Sequence, residues 1–501
     1  MPAPSAKKPK VRAQPKRAKK SFFLTTPIFY INDKPHIGHA YTVIAADALA
    51  RWHRAQGEDV FFHAGTDENA SKTVQAARAA GEPTQAYADR MAAIWRATWD
   101  SLGISYSDFI RTTEPRHAEQ VLRFFKRIPA ADISKGVYEG WYCEACEAFV
   151  TEKELVAGAC PLHKRPAKRL KEDNYFFRLS KYAPQVEAHL KANPEFVQPA
   201  SRRNEVLAFL REGAKDISVS RPGLGWGIPF PLDPAHRFWV WMEALNVYIS
   251  VAPERWPADL HLVGKDIIRF HCVIWPALLL AAKLPLPKQV FAHGFFTIDG
   301  QKISKSLGNA IDPLALAKKY SRDSLRYYLL REIPFGEDGD FSEAALARRH
   351  NGELLAELGN LVSRVTNLAE KHAAAGGGFA EGKKLEPAFK SAFAAASAAM
   401  ERLQFHQALE ALFGFVHQVN KYISDTEPWK KAPAEQAAIL GNALEAIRCI
   451  SIALSPFLPD TAKAIAAQLG LPEQSFSALA FGKFAGNPKK GALLFRKAEQ
   501  P

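Results

Sequence analysis

The first apolar run, Ser21 to Tyr30, is strongly aromatic and is bounded downstream by the turn formers Asn32, Asp33 and Pro35, the pattern of a short buried strand. From Ala40 the apolar positions change period: Tyr41, Ile44, Ala48, Leu49 and Trp52 recur at helical spacing. A second strand, Asp59 to Ala64, ends in Gly65-Thr66-Asp67-Glu68 and is followed by helices over about 70–80 and 83–102. Strand, helix, strand, helix in this order predicts an α/β fold with a parallel, doubly wound sheet whose ligands sit at the C-terminal strand ends. His36, His39 and Asp67 fall at such ends, so the pattern places them in one site.

From about Ile133 to Ala235 the chain is aromatic, contains cysteine and loses helical periodicity, as an insertion between two halves of the sheet domain does. The sheet is expected to resume near Arg237, with Phe238 to Trp241 as a strand, another ending in His261-Leu262-Val263-Gly264-Lys265-Asp266, a helix carrying His271 and Trp275, and a strand from Gln289 to His293. Beyond about Asp312 the pattern is helical, and segments 352–372, 388–404, 405–426 and 434–456 read as an antiparallel bundle. Ala373 to Pro387, with three successive glycines, reads as a mobile connection. The chain thus divides into a basic tail (1–20), the two halves of the sheet domain (21–132 and 236–296), the insertion (133–235), a Lys/Ser loop with its following region (297–350) and a helical domain (351–501).

Two motifs carry chemistry. His36-Ile37-Gly38-His39 occupies a strand-to-helix turn, where helix N-terminal amides and two imidazoles meet an anionic group and Gly38 lets a flat ligand approach the backbone. Far downstream, Lys302-Ile303-Ser304-Lys305-Ser306 lies in a loop flanked by Gly300 and Gly308. A third pattern, Cys143-x2-Cys146-x13-Cys160-x2-His163, presents two pairs of ligands on tight turns. Together they complete a tetrahedral Cys3His shell for Zn2+, structural because no coordination position is left for a catalytic water.

The two phosphate-directed motifs together resemble those of the class I aminoacyl-tRNA synthetases, and their surroundings resemble the methionyl-tRNA synthetase family from about Phe22 to the last helices. The resemblance implies a Rossmann-like catalytic domain with a zinc-knuckle connective insertion and an α-helical anticodon-binding domain. It implies ATP-dependent activation of L-methionine to the adenylate, with Mg2+ accompanying ATP, followed by transfer to tRNA(Met), including initiator tRNA. Within it, His36, His39, Lys302 and Lys305 are the catalytic groups, joined at the nucleotide by Gly38, Gly294 and Ser304. Ile28, Tyr30, Asp67, Trp241, Ala244, Leu245, Tyr248 and His271 match the family's methionine pocket. Asn360 and Arg364, four apart on one helix face, and Trp429, after Pro428, match the residues that read the CAU anticodon. Three positions depart from the family pattern: Asn69-Ala70 replace His-Gly, Met242-Glu243 replace an aromatic or apolar residue followed by Asp, and Ile303 replaces Met.

Composition narrows the picture. The net charge is +14, and residues 1–20 carry eight Lys/Arg and no acid, which leaves +6 on the rest. That tail, with four prolines and no apolar periodicity, reads as disordered, either a salt-sensitive RNA-binding arm or a solubilising extension. The five cysteines form no disulfide framework; Cys272 and Cys449 stand alone as core residues, a pattern of a reducing, cytoplasmic compartment. No run of eighteen apolar residues is present, so no membrane association is expected, and the absence of an appended barrel after the bundle points to a monomer. The 262 residues between His39 and Lys302 leave no room for the editing insertion of valyl, isoleucyl or leucyl relatives. A cysteinyl enzyme and a non-catalytic tRNA-binding paralogue remain open alternatives.

Overall fold

Strand β1 (Ser21–Thr25) is buried at its C-terminal end and lies at the centre of a parallel sheet. The computed structural model describes residues 20–143, 148–150, 152, 155–161, 166–223, 225–298, 300–303 and 310–499. After β1 the chain forms β2 (Phe29–Tyr30), α1 (Ile37–Ala55), β3 (Asp59–Asp67), α2 (Ser71–Ala80), α3 (Thr84–Ser101), β4 (Asp108–Arg111) and α4 (Pro115–Phe125). It then builds a long antiparallel pair, β5 (Ile133–Cys143) with β7 (Lys168–Phe177), in register from Ile133↔Phe177 to Tyr142↔Lys168, with β6 (Ala148–Val150) along the edge of β5.

The stretch expected as an insertion does more than project. After α5 (Leu179–Ala192) it returns as β8 (Val197–Gln198), which pairs with the main sheet, then continues through α6 (Ala200–Arg211), β9 (Ile217–Ser218) and β10 (Ser220–Pro222). The second half follows as β11 (His236–Phe238), α7 (Val240–Ala244), α8 (Val247–Ser250), β12 (Leu260–Gly264), a π-helical turn Phe270–Ile274, α9 (Trp275–Ala281), β13 (Val290–His293), β14 (Phe296–Ile298) and β15 (Gln301–Lys302). Across the sheet the order is β4, β3, β1, β12, β13, β8, with β2 extending beside the end of β3. The chain leaves β1 toward β3 and later re-enters on its other side through β12. This reversal opens a crevice at the C-terminal strand ends, the ligand site of such sheets.

The helical region comprises α10 (Pro313–Tyr320), α11 (Arg322–Arg331), the short strand β16 (Gly339–Asp340), α12 (Glu343–Arg349), a π-helical segment His350–Gly359, α13 (Asn360–Ala374), α14 (Glu386–Glu401), α15 (Phe405–Thr426), α16 (Pro433–Leu454) and α17 (Pro459–Gln468). Of these, α16 has the length and mean hydropathy, 1.6, to cross a bilayer, but 83% of that window is buried inside the protein, as a bundle's central helix is. Trp52 of α1 packs against Phe393, Phe457 and Phe476, so the sheet domain and the helices share one apolar cluster.

Two expectations are corrected. Phe238 to Trp241 is not a single strand: the strand stops at Phe238, Trp239 caps α7, and Trp241 lies on that helix. A short run that is apolar throughout carries no period to distinguish strand from helix. The segment from Ala373 to Pro387 is anchored rather than free. The Lys384 amide donates to Asn442 Oδ1 at 2.8 Å, and Gly382 packs so closely on Gly441 that a Cβ there would lie 2.5 Å from its carbonyl oxygen. Gly382 is the glycine of this segment at which close backbone contact requires the missing Cβ. Cys272 and Cys449 are fully buried, as core residues are.

One buried polar cluster ties the two regions. Asp47, fully buried in α1, pairs with Arg51 and Arg326 at 2.7 Å each and accepts from the backbone and hydroxyl of Ser105. Arg326 on α11 also donates to the carbonyls of Phe457 and Pro456 at 2.8 and 3.0 Å. Burial alone would raise the Asp47 carboxyl, but the two guanidiniums and the Ser105 hydroxyl overcome it and hold its pKa below the ordinary 3.8. Its stabilising contribution is therefore complete above that ordinary value and is lost as pH falls through the lower, folded value. Asp47→Asn leaves Arg326 buried without its counter-charge and is expected to cost about 3–5 kcal/mol in chemical denaturation near neutral pH. The gap between variant and wild type should narrow in strong acid; an undiminished gap there would show that the charge is not the source.

Candidate functional site

The crevice beside β1 is capped by the histidine pair. His36 is the N-cap of α1, which therefore starts at Ile37, three residues earlier than apolar spacing indicates. The His36 ring accepts from the Gly38 amide through Nδ1 at 3.1 Å, and the His39 ring accepts from the His36 amide through Nδ1 at 3.2 Å. The two rings stack with centroids 3.8 Å apart, and the edges of Phe29 and Trp95 hold His39. Because each Nδ1 accepts from a backbone N–H, the neutral rings carry their proton on Nε2. The helix start thus presents two imidazole N–H donors where its own amides favour an anion. At Gly38 a Cβ would sit 3.0 Å from His36 Cε1, so the glycine is what allows the ring to fold back over the cap.

Behind the pair lies a second wall. Tyr30 and Asp67 are register partners at the ends of β2 and β3, and Asp67 is buried. Ile28 packs over Gly65 of β3, where a Cβ would approach Ile28 Cγ2 to 2.9 Å. Trp241 stacks on Phe270 at 3.7 Å with the rings nearly parallel, and meets His271 edge-on at 6.3 Å. Tyr248, buried with its neighbours Ala244 and Leu245, lies 2.6 Å from His271 Nε2. His271 Nδ1–H donates to the Ile267 carbonyl at 3.0 Å, so Nε2 is the acceptor and the tyrosine hydroxyl donates. Burial pushes the His271 pKa down to about 4, keeping the ring neutral.

The loop between β13 and β16 bears the remaining residues. Gly294 follows β13, and a Cβ there would lie 2.1 Å from the Glu337 carbonyl oxygen, so close backbone packing by itself requires glycine. Lys302 ends β15, paired with Thr297 of β14, while Ile303 is buried. Ser304 and Lys305 lie outside the described residues, as do Cys146 and His163. Cys143, at the end of β5, and Cys160 are both buried thiols outside any disulfide. Among the described residues no group of three or more His, Cys, Asp or Glu is placed to hold a metal.

About the bundle, Asn360, Ser363, Arg364, Asn367, Asn420 and Lys490 line a polar cavity of about 460 Å3. Arg364 Nη2 donates to Asn420 Oδ1 at 3.2 Å, and Asn420 in turn donates to the Glu357 carbonyl. Trp429 is 47% exposed, in a short 3-10 turn after α15. Spacing on one helix marked Asn360 and Arg364; Asn420 and Lys490 arrive from α15 and the C-terminal segment, contacts that no local pattern records.

Comparison with known proteins agrees with this geometry. The family model described as class I tRNA synthetases (M) matches residues 22–170 and 162–366, and that of the anticodon binding domain of methionyl tRNA ligase matches residues 373–485. The methionine–tRNA ligase of Caldanaerobacter subterraneus is 43% identical, over 96% of this chain and 79% of its own length. That of Streptomyces coelicolor is 41% identical over 97% of this chain and 98% of its own. A solved structure of Mycobacterium tuberculosis methionyl-tRNA synthetase in complex with methionyl-adenylate superposes with a TM-score of 0.89, at 38% identity, covering 95% of this chain and 99% of that one.

The chain belongs to the methionyl-tRNA synthetase family. It is accordingly an aminoacyl-tRNA synthetase, a methionine–tRNA ligase, rather than a cysteinyl enzyme or a binding paralogue.

Two of its departures from the methionyl-tRNA synthetase pattern meet in space. Asn69 donates to the Thr112 carbonyl at 3.1 Å and sets its amide against the carboxyl of Glu243. Glu243 Oε2 lies 2.6 Å from His117 Nε2, and both side chains are fully buried. Burial drives the Glu243 carboxyl well above the ordinary carboxylate range, against the pull of Asn69, and pushes His117 down to about 3. Both shifts favour the uncharged acid against the neutral ring. Glu243 donates to His117 Nε2, His117 Nδ1–H donates to Ser250 Oγ at 3.0 Å, and Ser250 donates to the Asn246 carbonyl at 2.8 Å. This directed chain ties α7 and α8, which carry Trp241, Ala244 and Tyr248, to α4 and to the loop after Asp67.

Sequence reasoning did not single out His63 and His261. Both are fully buried, with rings 5.5 and 4.4 Å from Tyr248, and His261 Nδ1 is 2.5 Å from Thr25 Oγ1. Each sits inside a strand buried on both faces, where alternation carries no signal. Glu243→Ala is expected to strand His117 and the Asn69 amide and to cost about 1–3 kcal/mol for each buried group left unpaired. Glu243→Gln, neutral like the protonated acid and able to donate to His117, is expected to cost less than about 1 kcal/mol. Thermal unfolding of both variants separates them; equal losses would show that the carboxyl carries a charge here.

Proposed function

We propose that His36, Gly38 and His39, with Lys302, Ser304 and Lys305, form the ATP site at which methionine is activated. The methionine carboxylate is already a nucleophile at neutral pH, so the step needs positioning at the α-phosphate and stabilisation of charge on the transferring and leaving phosphates. The observation that carries this reading is the pair of backbone-locked imidazoles at the start of α1, each with its N–H on Nε2. The two lysines neutralise the departing pyrophosphate, Gly294 packs the backbone after β13 against Glu337, and Mg2+ accompanies the nucleotide.

In the same proposal methionine lies between Ile28, Tyr30, Trp241, Ala244, Leu245, Tyr248 and His271. A thioether suits these walls, since sulfur packs well against aromatic rings. With burial holding His63 and His271 neutral, Asp67 supplies the charge that receives the substrate ammonium. Zn2+ is proposed to be held by Cys143, Cys146, Cys160 and His163 as a structural knuckle at the tip of the β5–β7 hairpin; the burial of Cys143 and Cys160 supports shielded thiolate ligands. Asn360, Arg364 and Trp429 are proposed to read the anticodon of tRNA(Met), initiator included, with Asn420 and Lys490 completing the polar pocket.

Lys305→Ala is expected to leave methionine binding intact and to slow adenylate formation on the order of 10²–10³-fold, because the lost charge matters most as pyrophosphate departs. Single-turnover adenylate formation measures this; a near-normal rate would remove the loop from the mechanism. Trp429→Ala is expected to weaken tRNA binding by about 1–3 kcal/mol, the range for a base stacked on an aromatic ring. Charging at limiting tRNA should then fall about tenfold or more while ATP–pyrophosphate exchange with methionine holds. Unchanged charging with an intact bundle would show that Trp429 does not touch RNA.

A further inference from the structure

Three polar residues stand in a row across the centre of the parallel sheet, on strands β3, β1 and β12. Thr25 of β1 is the register partner of His63 on one side and of His261 on the other, and all three are fully buried. Register partners in a sheet project to the same face, so the three side chains form one line. With strands about 4.8 Å apart, the two histidines are rooted about 10 Å from one another. The Tyr248 ring reaches both, its centroid 5.5 Å from that of His63 and 4.4 Å from that of His261. It therefore lies across the row.

Thr25 Oγ1 and His261 Nδ1 share a hydrogen bond of 2.5 Å. That bond fixes the rotation of the imidazole about its Cβ–Cγ axis, a torsion that is otherwise broad for aromatic rings. The other ring nitrogen, His261 Nε2, is buried and has no hydrogen-bond partner among the described residues. Burial, with His271 and His63 nearby, pushes the His261 pKa well below its ordinary value, so the ring is neutral. An apolar side chain would fill this place without leaving a buried nitrogen unpaired, which is costly. Departures of this kind from the rules of a stable core concentrate at functional sites.

Tyr248 needs such a seat. Its helix, α8, has four residues and no side-chain cap, so local structure alone holds the ring weakly. Tertiary contacts hold it instead. The hydroxyl donates to His271 Nε2 at 2.6 Å, and at 4.4 Å the His261 ring is nearer than those of His63, His271 or Trp275.

On the reading that Tyr248 and His271 line the methionine slot, we propose that His261, held by Thr25, is a positioning residue for methionine. It sets the plane of Tyr248, and with it the hydroxyl that meets His271 and the ring offered to the thioether. The consequence is for specificity, because sulfur–ring contact separates a thioether from a methylene chain of the same shape.

The test measures ATP–pyrophosphate exchange by the full chain with methionine and with norleucine, in which a methylene replaces the sulfur. Thr25→Val keeps the shape of its side chain and removes the hydroxyl; His261→Phe keeps a ring and removes the nitrogens. Each is expected to raise the KM for methionine about three- to tenfold, the range for one hydrogen bond, with the KM for ATP within about twofold of wild type. The preference for methionine over norleucine in kcat/KM should fall about threefold or more. Because both changes act through one contact, Thr25→Val should add less than about twofold to the KM of His261→Phe. An unchanged methionine KM, equal losses with the two amino acids, or independent effects in the double variant would each overturn the proposal. Thr25→Val carries the test if His261→Phe does not fold, and failure of both to fold would overturn it by making the pair a stability element. Tyr248→Phe checks the underlying reading separately. If it leaves the methionine KM unchanged, the slot assignment itself fails; a raised KM there beside normal Thr25 and His261 variants removes only the role of His261.

Discussion

The Asp47 cluster is the constraint on which the rest of the molecule depends. A carboxylate buried in the middle of α1 is tolerable only because Arg51, Arg326 and Ser105 surround it. Arg326 belongs to α11 and also binds the carbonyls at 456–457, so the same charge fixes α1 against the helical region. The end of α1 that bears His36 and His39 is thereby referenced to the bundle. His36 and His39 lie at its N-terminus, and near its C-terminus Trp52 packs into the bundle's aromatic cluster. One helix carries the proposed adenylation donors at one end and the interdomain contacts at the other.

The electrostatics of the two compartments differ for a physical reason. At the helix start the imidazoles are oriented by backbone amides and present donors to an anion. Behind them, burial holds His63, His117 and His271 neutral, with pKa values of about 4, 3 and 4, and raises the Glu243 carboxyl well above the ordinary range. In the proposed methionine slot, burial holds His271 and Tyr248 in their uncharged forms. The hydrogen bonds of Glu243, His117 and Ser250 form one chain that ends at the Asn246 carbonyl and ties α7 and α8 to α4.

Much of this was legible in the sequence. The strand-to-helix turn at His36, the position of Asp67 at a strand end and the parallel character of the sheet follow from changes of period and from turn formers, because those features are local. The burial of Cys272 and Cys449 was likewise readable. What stayed hidden was non-local or without period. Phe238 to Trp241 is apolar throughout, so its switch from strand to helix left no pattern. The segment 373–387, with Gly376 to Gly378, reads as a mobile connection, and the packing of Gly382 on Gly441 that anchors it is a contact between distant segments. Asn69 and Glu243, two separate oddities along the chain, become one contact only when α7 folds against the loop after β3.

The account turns on the claim that the crevice beside β1 activates methionine with ATP, independently of the bundle. The most direct measurement is ATP–pyrophosphate exchange by the purified chain, without tRNA, against each of the twenty amino acids. The account predicts exchange that depends on methionine, with cysteine and the branched aliphatic amino acids at background. Exchange driven by another amino acid, or none with methionine, would contradict it.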